Sequence, residues 1–252
     1  MPAVPPTLQQ LFSLTRRMSL SSTVSGVPGA RSPLIVNVVS DVMWPWCLIL
    51  DRNLKAASRD TGVPVEINWL PYQLNANTAP EGEDLMEHLV RKYGPQALAT
   101  YGKPGNPLDV AGRKVGVVFN PARRVISTMK CHQLMTYCKE VSPDRASGLM
   151  DILFRRYFEE AQDVSKVDVL VEAAVECGLS AEGARETVTG DKYKAEVLKE
   201  IQHSQGVRRI SGVPHVSIQS PKAGVRAISF SGAQPAAVIA EQLLQVLEDA
   251  DQ

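Results

Sequence analysis

The sequence predicts an α/β protein in which one β-sheet is interrupted by a large all-helical insertion. Three observations lead there. A strand–helix–strand opening spans about residues 33–70, nearly every segment from Glu81 to about Gly190 repeats its apolar residues at helical period, and the tail reads helix–strand–strand–helix. Neither end holds enough strands for a sheet of its own, so the two must pair across the insertion. The predicted organisation is an N-terminal extension (1–32), a sheet domain built from 33–75 plus 190–252, and a helical insertion (76–189).

Taken in order, P-L-I-V-N-V-V (33–39) is rich in β-branched residues and predicts a buried strand. A helix follows from Pro45 to about Arg59, where Pro45 suits the first turn because a missing amide costs nothing there. V-P-V-E-I-N-W-L (63–70) alternates and predicts a second strand. In the insertion, helical period runs through E-D-L-M-E-H-L-V-R-K-Y, V-I-S-T-M-K-C-H-Q-L-M-T-Y-C, G-L-M-D-I-L-F-R-R-Y-F and V-D-V-L-V-E-A-A-V-E-C, the last ending at Gly178. G-K-P-G-N-P (102–107) is a turn-rich connection. The tail holds a helix from about Lys192 to Gly206, a strand across V-P-H-V-S-I, a partner strand in A-G-V-R-A-I-S-F, and an amphipathic helix from Pro235 to about Asp249. The insertion has apolar helix faces and no long Gly/Ser linker at either connection, so it is expected to close as a lid over the start of the first helix.

Composition removes several classes of function. The 252 residues are 44% hydrophobic, enough for a full core, and 27 Lys plus Arg balance 27 Asp plus Glu. No net field or basic stripe draws nucleic acid, and no apolar run could span a bilayer. Cys47, Cys131, Cys138 and Cys177 lack the even spacing of a secreted disulfide framework, which points to a reducing compartment. Seven residues apart on one helix, Cys131 and Cys138 stand roughly 10 Å apart along the axis and cannot bridge, so they read as core. The first 32 residues carry no Asp or Glu, three arginines (Arg16, Arg17, Arg31) and many serines, with Leu8, Leu11, Phe12 and Thr15 able to share a helical face. That suits a mitochondrial presequence, with a disordered tail as the alternative, so the expected location is mitochondrial or cytoplasmic. Partners narrow to a small thiol or peptide substrate, for a monomer or homodimer.

Two pieces carry the chemistry: Trp44-Pro45-Trp46-Cys47 where the first strand meets the first helix, and Gly212-Val213-Pro214 where a later strand opens. Together they resemble the thioredoxin fold of the DsbA-like group, in which a helix-borne Cys-x-x-Cys faces a cis-proline loop. The finer resemblance is to the FrnE-like branch, related to 2-hydroxychromene-2-carboxylate isomerases and kappa-class glutathione transferases. Its stretches are S-D (40–41), P-W-C (45–47), L-P-Y-Q-L-N (70–75), G-V-V-F-N (116–120), H-Q-L (132–134), R-R-Y-F (155–158), G-V-P (212–214) and S-G-A-Q-P (231–235), spread in order over about residues 33–250.

The resemblance implies a thioredoxin-like domain at 33–75 plus 190–252, a thiol–disulfide exchange site at the junction, and a cis Val213–Pro214 bond that leaves the Val213 amide and carbonyl open to an extended peptide or glutathione. The position of the attacking cysteine, however, is Trp44, and an indole cannot attack. Cys47 is then the sole candidate reactive thiol, one turn inside the helix where it gains less from the helix dipole. Dithiol exchange is excluded and monothiol chemistry is the ceiling. No cofactor is required, and glutathione is the one the resemblance suggests. Trp44, Pro45, Trp46, Val213, Pro214 and His215 are the candidate substrate-contacting residues, His215 being the candidate base for Cys47. His132 reads as a core histidine, His88 and His203 as surface helix residues, Trp69 as core. The histidines and cysteines show no recurring metal-ligand spacing, so no metal is predicted. Two further readings remain: a glutathione-dependent isomerase or transferase, and a non-enzymatic binding or chaperone-like protein.

Overall fold

The computed structural model describes residues 32–101 and 103–251, and Ser32–Gln252 form one compact unit. The targeting segment expected in residues 1–32 lies, but for Ser32, outside the described residues. The chain opens β1 (Leu34–Ser40), α1 (Pro45–Thr61), β2 (Val65–Pro71). It continues through β3 (Glu83–Asp84), α2 (Leu85–Tyr93), α3 (Gln96–Tyr101), α4 (Pro107–Lys114) and β4 (Arg124–Val125). Then come α5 (Met129–Val141), α6 (Ala146–Phe154), α7 (Val167–Glu176), α8 (Ala181–Thr189) and α9 (Lys194–Gly206). β5 (His215–Gln219), β6 (Ile228–Ser231) and α10 (Ala236–Asp251) close it.

The four-stranded sheet runs β2-β1-β5-β6, so the two ends of the chain do share one sheet. β1 pairs parallel with β2 and antiparallel with β5. A central strand is covered on both faces, which is why β1 reads as an unbroken apolar run rather than an alternating one. Val36 and Val38 face the core beside Ile218 and Val216, all with no exposed surface. On the other face the Asn68 amide donates to the Asn37 amide oxygen at 2.9 Å, matching the one polar pair in the parallel ladder.

Along α1, Cys47, Leu50, Asp51, Leu54 and Ala57 are buried at helical spacing. Gly62 ends the helix at φ +68, a left-handed value that glycine takes without strain, and its amide donates to the Arg59 carbonyl. α10 packs on α1 and β5, while α6 and α9 pack on β2. Trp69 of β2, predicted as core, meets Phe154 of α6 edge to face at 6.1 Å between ring centroids.

The insertion differs from the expected all-helical block in two places. β3 and β4 form a short antiparallel ladder, Glu83 opposite Val125 and Asp84 opposite Arg124. Two-residue strands carry no period, and Asp84 is better read as the cap of α2, accepting from the amides of Met86 and Glu87 at 2.8 and 3.0 Å. R-R-Y-F begins a π-helical turn over Arg155–Glu159, not a continuation of α6. Its tight fit is visible where the Asn120 amide donates to the Phe158 carbonyl at 2.7 Å and the Asn120 side chain to the Glu159 carbonyl at 3.2 Å. β6 is also shorter than the eight residues expected of it.

Candidate functional site

The junction between β1 and α1 is built around Asp41, a residue to which sequence reasoning gave no role. Its side chain is fully buried and ties three segments together. Oδ2 accepts the Leu74 amide from the loop after β2 at 2.8 Å, and Oδ1 accepts the Met43 amide at 3.4 Å. His132 of α5 brings its Nε2 to 4.0 Å from Oδ1 and donates it to the Tyr72 carbonyl at 2.8 Å. So S-D, L-P-Y-Q-L-N and H-Q-L, far apart in sequence, meet at one carboxyl group. Burial raises the Asp41 pKa against the opposing pull of His132, and burial lowers that of His132, so both move toward their neutral forms. His132 is thus the core histidine the sequence predicted.

Trp44 occupies the N-cap of α1, its amide bonded to the Asp41 carbonyl at 3.0 Å. No side chain caps this helix and its first turn holds no acid, so the dipole of a 17-residue helix ends bare beside Trp44, Pro45 and Trp46. Cys47, the thiol expected to react, does not share that opening. It has no exposed surface, and burial pushes its thiol up to about 12. All four cysteines are free, Cys131 and Cys138 in the core as expected.

The Val213–Pro214 peptide bond is cis. In the β1–β5 ladder Val39 sits opposite His215, which sets Pro214 one step beyond the last pair, level with Ser40 at the site end of the sheet. Val213 makes no backbone hydrogen bond among the described residues, whereas the Pro214 carbonyl accepts from Gly232 at 2.8 Å. His215, the expected base for Cys47, has another partner. Its Nδ1 lies 2.8 Å from the Ser231 hydroxyl across the β5–β6 pair, and it shares a sheet face with Val39, not with Val38.

The predicted contact residues divide into two groups. Trp44, Pro45 and Trp46 line a pocket of about 330 Å³, within the range of small-molecule sites, and Val213, Pro214 and His215 do not. The opposite wall belongs to the insertion: Leu89 and Tyr93 of α2, Arg113 of α4, and Phe119, Arg123 and Tyr157. The insertion therefore covers the Trp-Pro-Trp-Cys end. His88 also lines this pocket, correcting its reading as a surface residue. It is 9% exposed and its Nδ1 lies 2.6 Å from Glu83 Oε1, a partner that the β3 ladder sets in place. On the insertion side of the pocket the sequence signal was partial: G-V-V-F-N and R-R-Y-F contain the lining residues Val118, Phe119 and Tyr157, whereas the lining residues of α2 and α4 belong to no motif. Among the described residues no group of three His, Cys, Asp or Glu is arranged to hold a metal ion, and no helix is long and apolar enough to cross a membrane.

The family model described as a DSBA-like thioredoxin domain matches residues 35–244. The chain is similar to the uncharacterized protein YwbO of Bacillus subtilis (strain 168), 21% identical over 183 residues that cover 71% of this chain and 84% of YwbO. Among solved structures it resembles the probable DsbA oxidoreductase SCO1869 of Streptomyces coelicolor, with TM-score 0.71 and 26% identity over 85% of this chain and 90% of that one. A 2-hydroxychromene-2-carboxylate isomerase shares the fold at TM-score 0.61 and 13% identity, over 86% of this chain and 98% of the isomerase.

Proposed function

Since this chain belongs to the DSBA-like thioredoxin domain family, a family of thiol oxidoreductases and isomerases, we propose that it is a FrnE-like member that has given up dithiol exchange and keeps the end of its sheet as a ligand-binding site. Trp44 stands where dithiol members carry the attacking cysteine. The observation that carries the reading is the state of the one remaining thiol. Cys47 has no exposed surface, and burial pushes its thiol up to about 12, so the reactive thiolate is disfavoured at neutral pH. Neither the nucleophile nor access to it is present, so monothiol chemistry at Cys47 is at most residual. What remains is the pocket beside Trp44 and Trp46, of a size for glutathione or a comparable small molecule, and the unpaired Val213 backbone, which suits an extended peptide.

Insulin reduction and glutathione calorimetry test this together. The expected result is no catalysed reduction by the wild type, with heat of glutathione binding that Cys47→Ala leaves unchanged. Turnover that Cys47→Ala abolishes would overturn the reading. A second reading, glutathione-dependent isomerase or transferase, is favoured by the apolar and aromatic side chains that α2 and the start of α1 bring to the pocket, which suit a small electrophile beside bound glutathione. It predicts that bound glutathione is consumed or regenerated with a small electrophile, where simple binding leaves the electrophile intact.

A further inference from the structure

One face of α2 meets the pocket at helical spacing, since Leu85, His88, Leu89 and Lys92 all line it. His88 is the buried residue of that stripe, at 9% exposed. Its Nδ1 lies 2.6 Å from Glu83 Oε1, and a carboxylate only accepts, so Nδ1 carries the proton and donates it. The lone pair of the neutral ring is then on Nε2. The Arg91 Nη2 stands 3.3 Å from Nδ1, the longer of the two contacts, and its own bond to Glu83 explains its place there. Against the effect of burial, hydrogen bonds from Arg91 and His88 hold the Glu83 carboxyl below the usual carboxylate range. Nε2 has no hydrogen-bond partner among the described residues, and unlike Trp69 Nε1 it is not sealed off, so it opens on the cavity that His88 lines.

An imidazole fixed from behind by a carboxylate, with its far nitrogen free, has the form of a general base. The rest of the lining offers no competitor. Asp109 accepts from the Gly105 amide at 2.8 Å and the Arg113 Nε at 3.0 Å, bonds that hold its pKa below the usual range and leave it a weak base. Phenol hydroxyls and amides are weaker still. The charged groups around the imidazole are Glu83 of β3, Arg91 and Lys92 of α2, and across the pocket Asp109 and Arg113 of α4 with Lys103 and Arg123. The cations and the bare start of α1 favour an anion in the cavity, while Glu83 favours a cation on the ring.

We propose that His88, oriented by Glu83, is a general base that takes the thiol proton of glutathione bound in this pocket. The S–H bond breaks, its electron pair stays on sulfur, and the proton forms a new bond at Nε2. The product is a thiolate beside an imidazolium whose charge Glu83 balances through Nδ1. Glu83 acts only through His88 and is a positioning residue. This rests on the second reading, in which the bound thiol reacts with an electrophile, and supplies the residue that readies it.

Glutathione and S-methylglutathione, which has no thiol proton, separate the base from the binding site on the full chain. Calorimetry should give heat with both. With glutathione bound, thiolate absorbance should rise at least about one pH unit below the ordinary thiol value of about 8.5. His88→Gln should move that midpoint back toward free glutathione, with at least about tenfold less thiolate at neutral pH, and Glu83→Gln should move it part of the way. In the wild type at about pH 7.5, above the ordinary imidazole value, nitrogen NMR should show Nε2 of His88 gaining a proton with glutathione and not with S-methylglutathione. Heat from both ligands with the same midpoint in wild type and His88→Gln overturns the base and leaves the binding reading standing. No heat from either ligand overturns both. If His88→Gln does not fold, the wild-type nitrogen signal decides, and an Nε2 that glutathione leaves unchanged overturns the proposal.

Discussion

At the scale of single residues, this protein shows how burial reassigns titratable groups. Cys47 and Asp51 sit four residues apart on the inner face of α1, and both are pushed toward their neutral forms. For Cys47 that disfavours the thiolate. For Asp51 it creates a pH dependence of stability. Its carboxyl has no exposed surface, and burial pushes it up to about 7 despite Lys55, whose Nζ lies 2.8 Å from Oδ1 and also reaches Asp151 of α6 at 2.5 Å. Because the folded value lies above the ordinary carboxylate value of 3.8, between the two the folded state holds a proton that the unfolded chain lacks. Stability from this group therefore grows as pH falls from about 8 to about 5. Urea unfolding should show the wild type gaining ~1 kcal/mol or more on Asp51→Asn across that range. A constant difference between the two proteins would refute it. None of this was legible beforehand, since an Asp at an inner helical position looks in sequence like any solvated i,i+4 partner of Lys55.

Among the elements, α1 decides what the site can do. Its start could be read from the sequence because Pro45, the β-branched run before it and the helical period after it are all local signals. The partner elements could not, since the β3–β4 ladder is two residues long and the pocket wall is assembled from short helices whose contacts are set by packing alone. The N-cap position offers a direct test of the family argument. Trp44 is half-buried at a bare helix start, where a thiol would feel the full N-terminal dipole. Trp44→Cys should give a thiol of lowered pKa that Cys47, one turn on, can resolve, and insulin reduction should rise from baseline to a measurable rate. Should the variant fold, form the Cys47 disulfide and stay inert, the surrounding groove has diverged from exchange chemistry too. The indole also lines the pocket, so the same variant should weaken ligand binding there.

The compact unit that begins at Ser32 behaves as one body because the insertion is anchored on both sides of the site. Asp41 holds the loop after β2, His132 of α5 holds Tyr72, and Lys55 with Arg52 of α1 holds Asp151 of α6. Limited proteolysis should therefore release no separately folded insertion, and thermal unfolding of residues 32–252 should show a single transition. Two transitions, or a stable fragment near 76–189, would contradict the lid. The pairing of the two chain ends was legible because each end alone is short of strands, and the cover over the start of α1 because the insertion has apolar helix faces and no long linker; the division between Trp44–Trp46, which line the pocket, and Val213–His215, which do not, was not. The sheet order has one more consequence, for biosynthesis. β1 lies at the centre, yet its antiparallel neighbour β5 is made only after the whole insertion, and the Asn53 side chain finds its acceptor, the Gln234 carbonyl, 181 residues downstream. Until those last segments leave the ribosome, β1 presents a row of unsatisfied amides and carbonyls along an apolar strand, a template for association with other nascent chains. A premature stop before β6 would thus yield not a shortened protein with a weaker site but an aggregation-prone one, and the cell must shield this chain until translation is nearly finished.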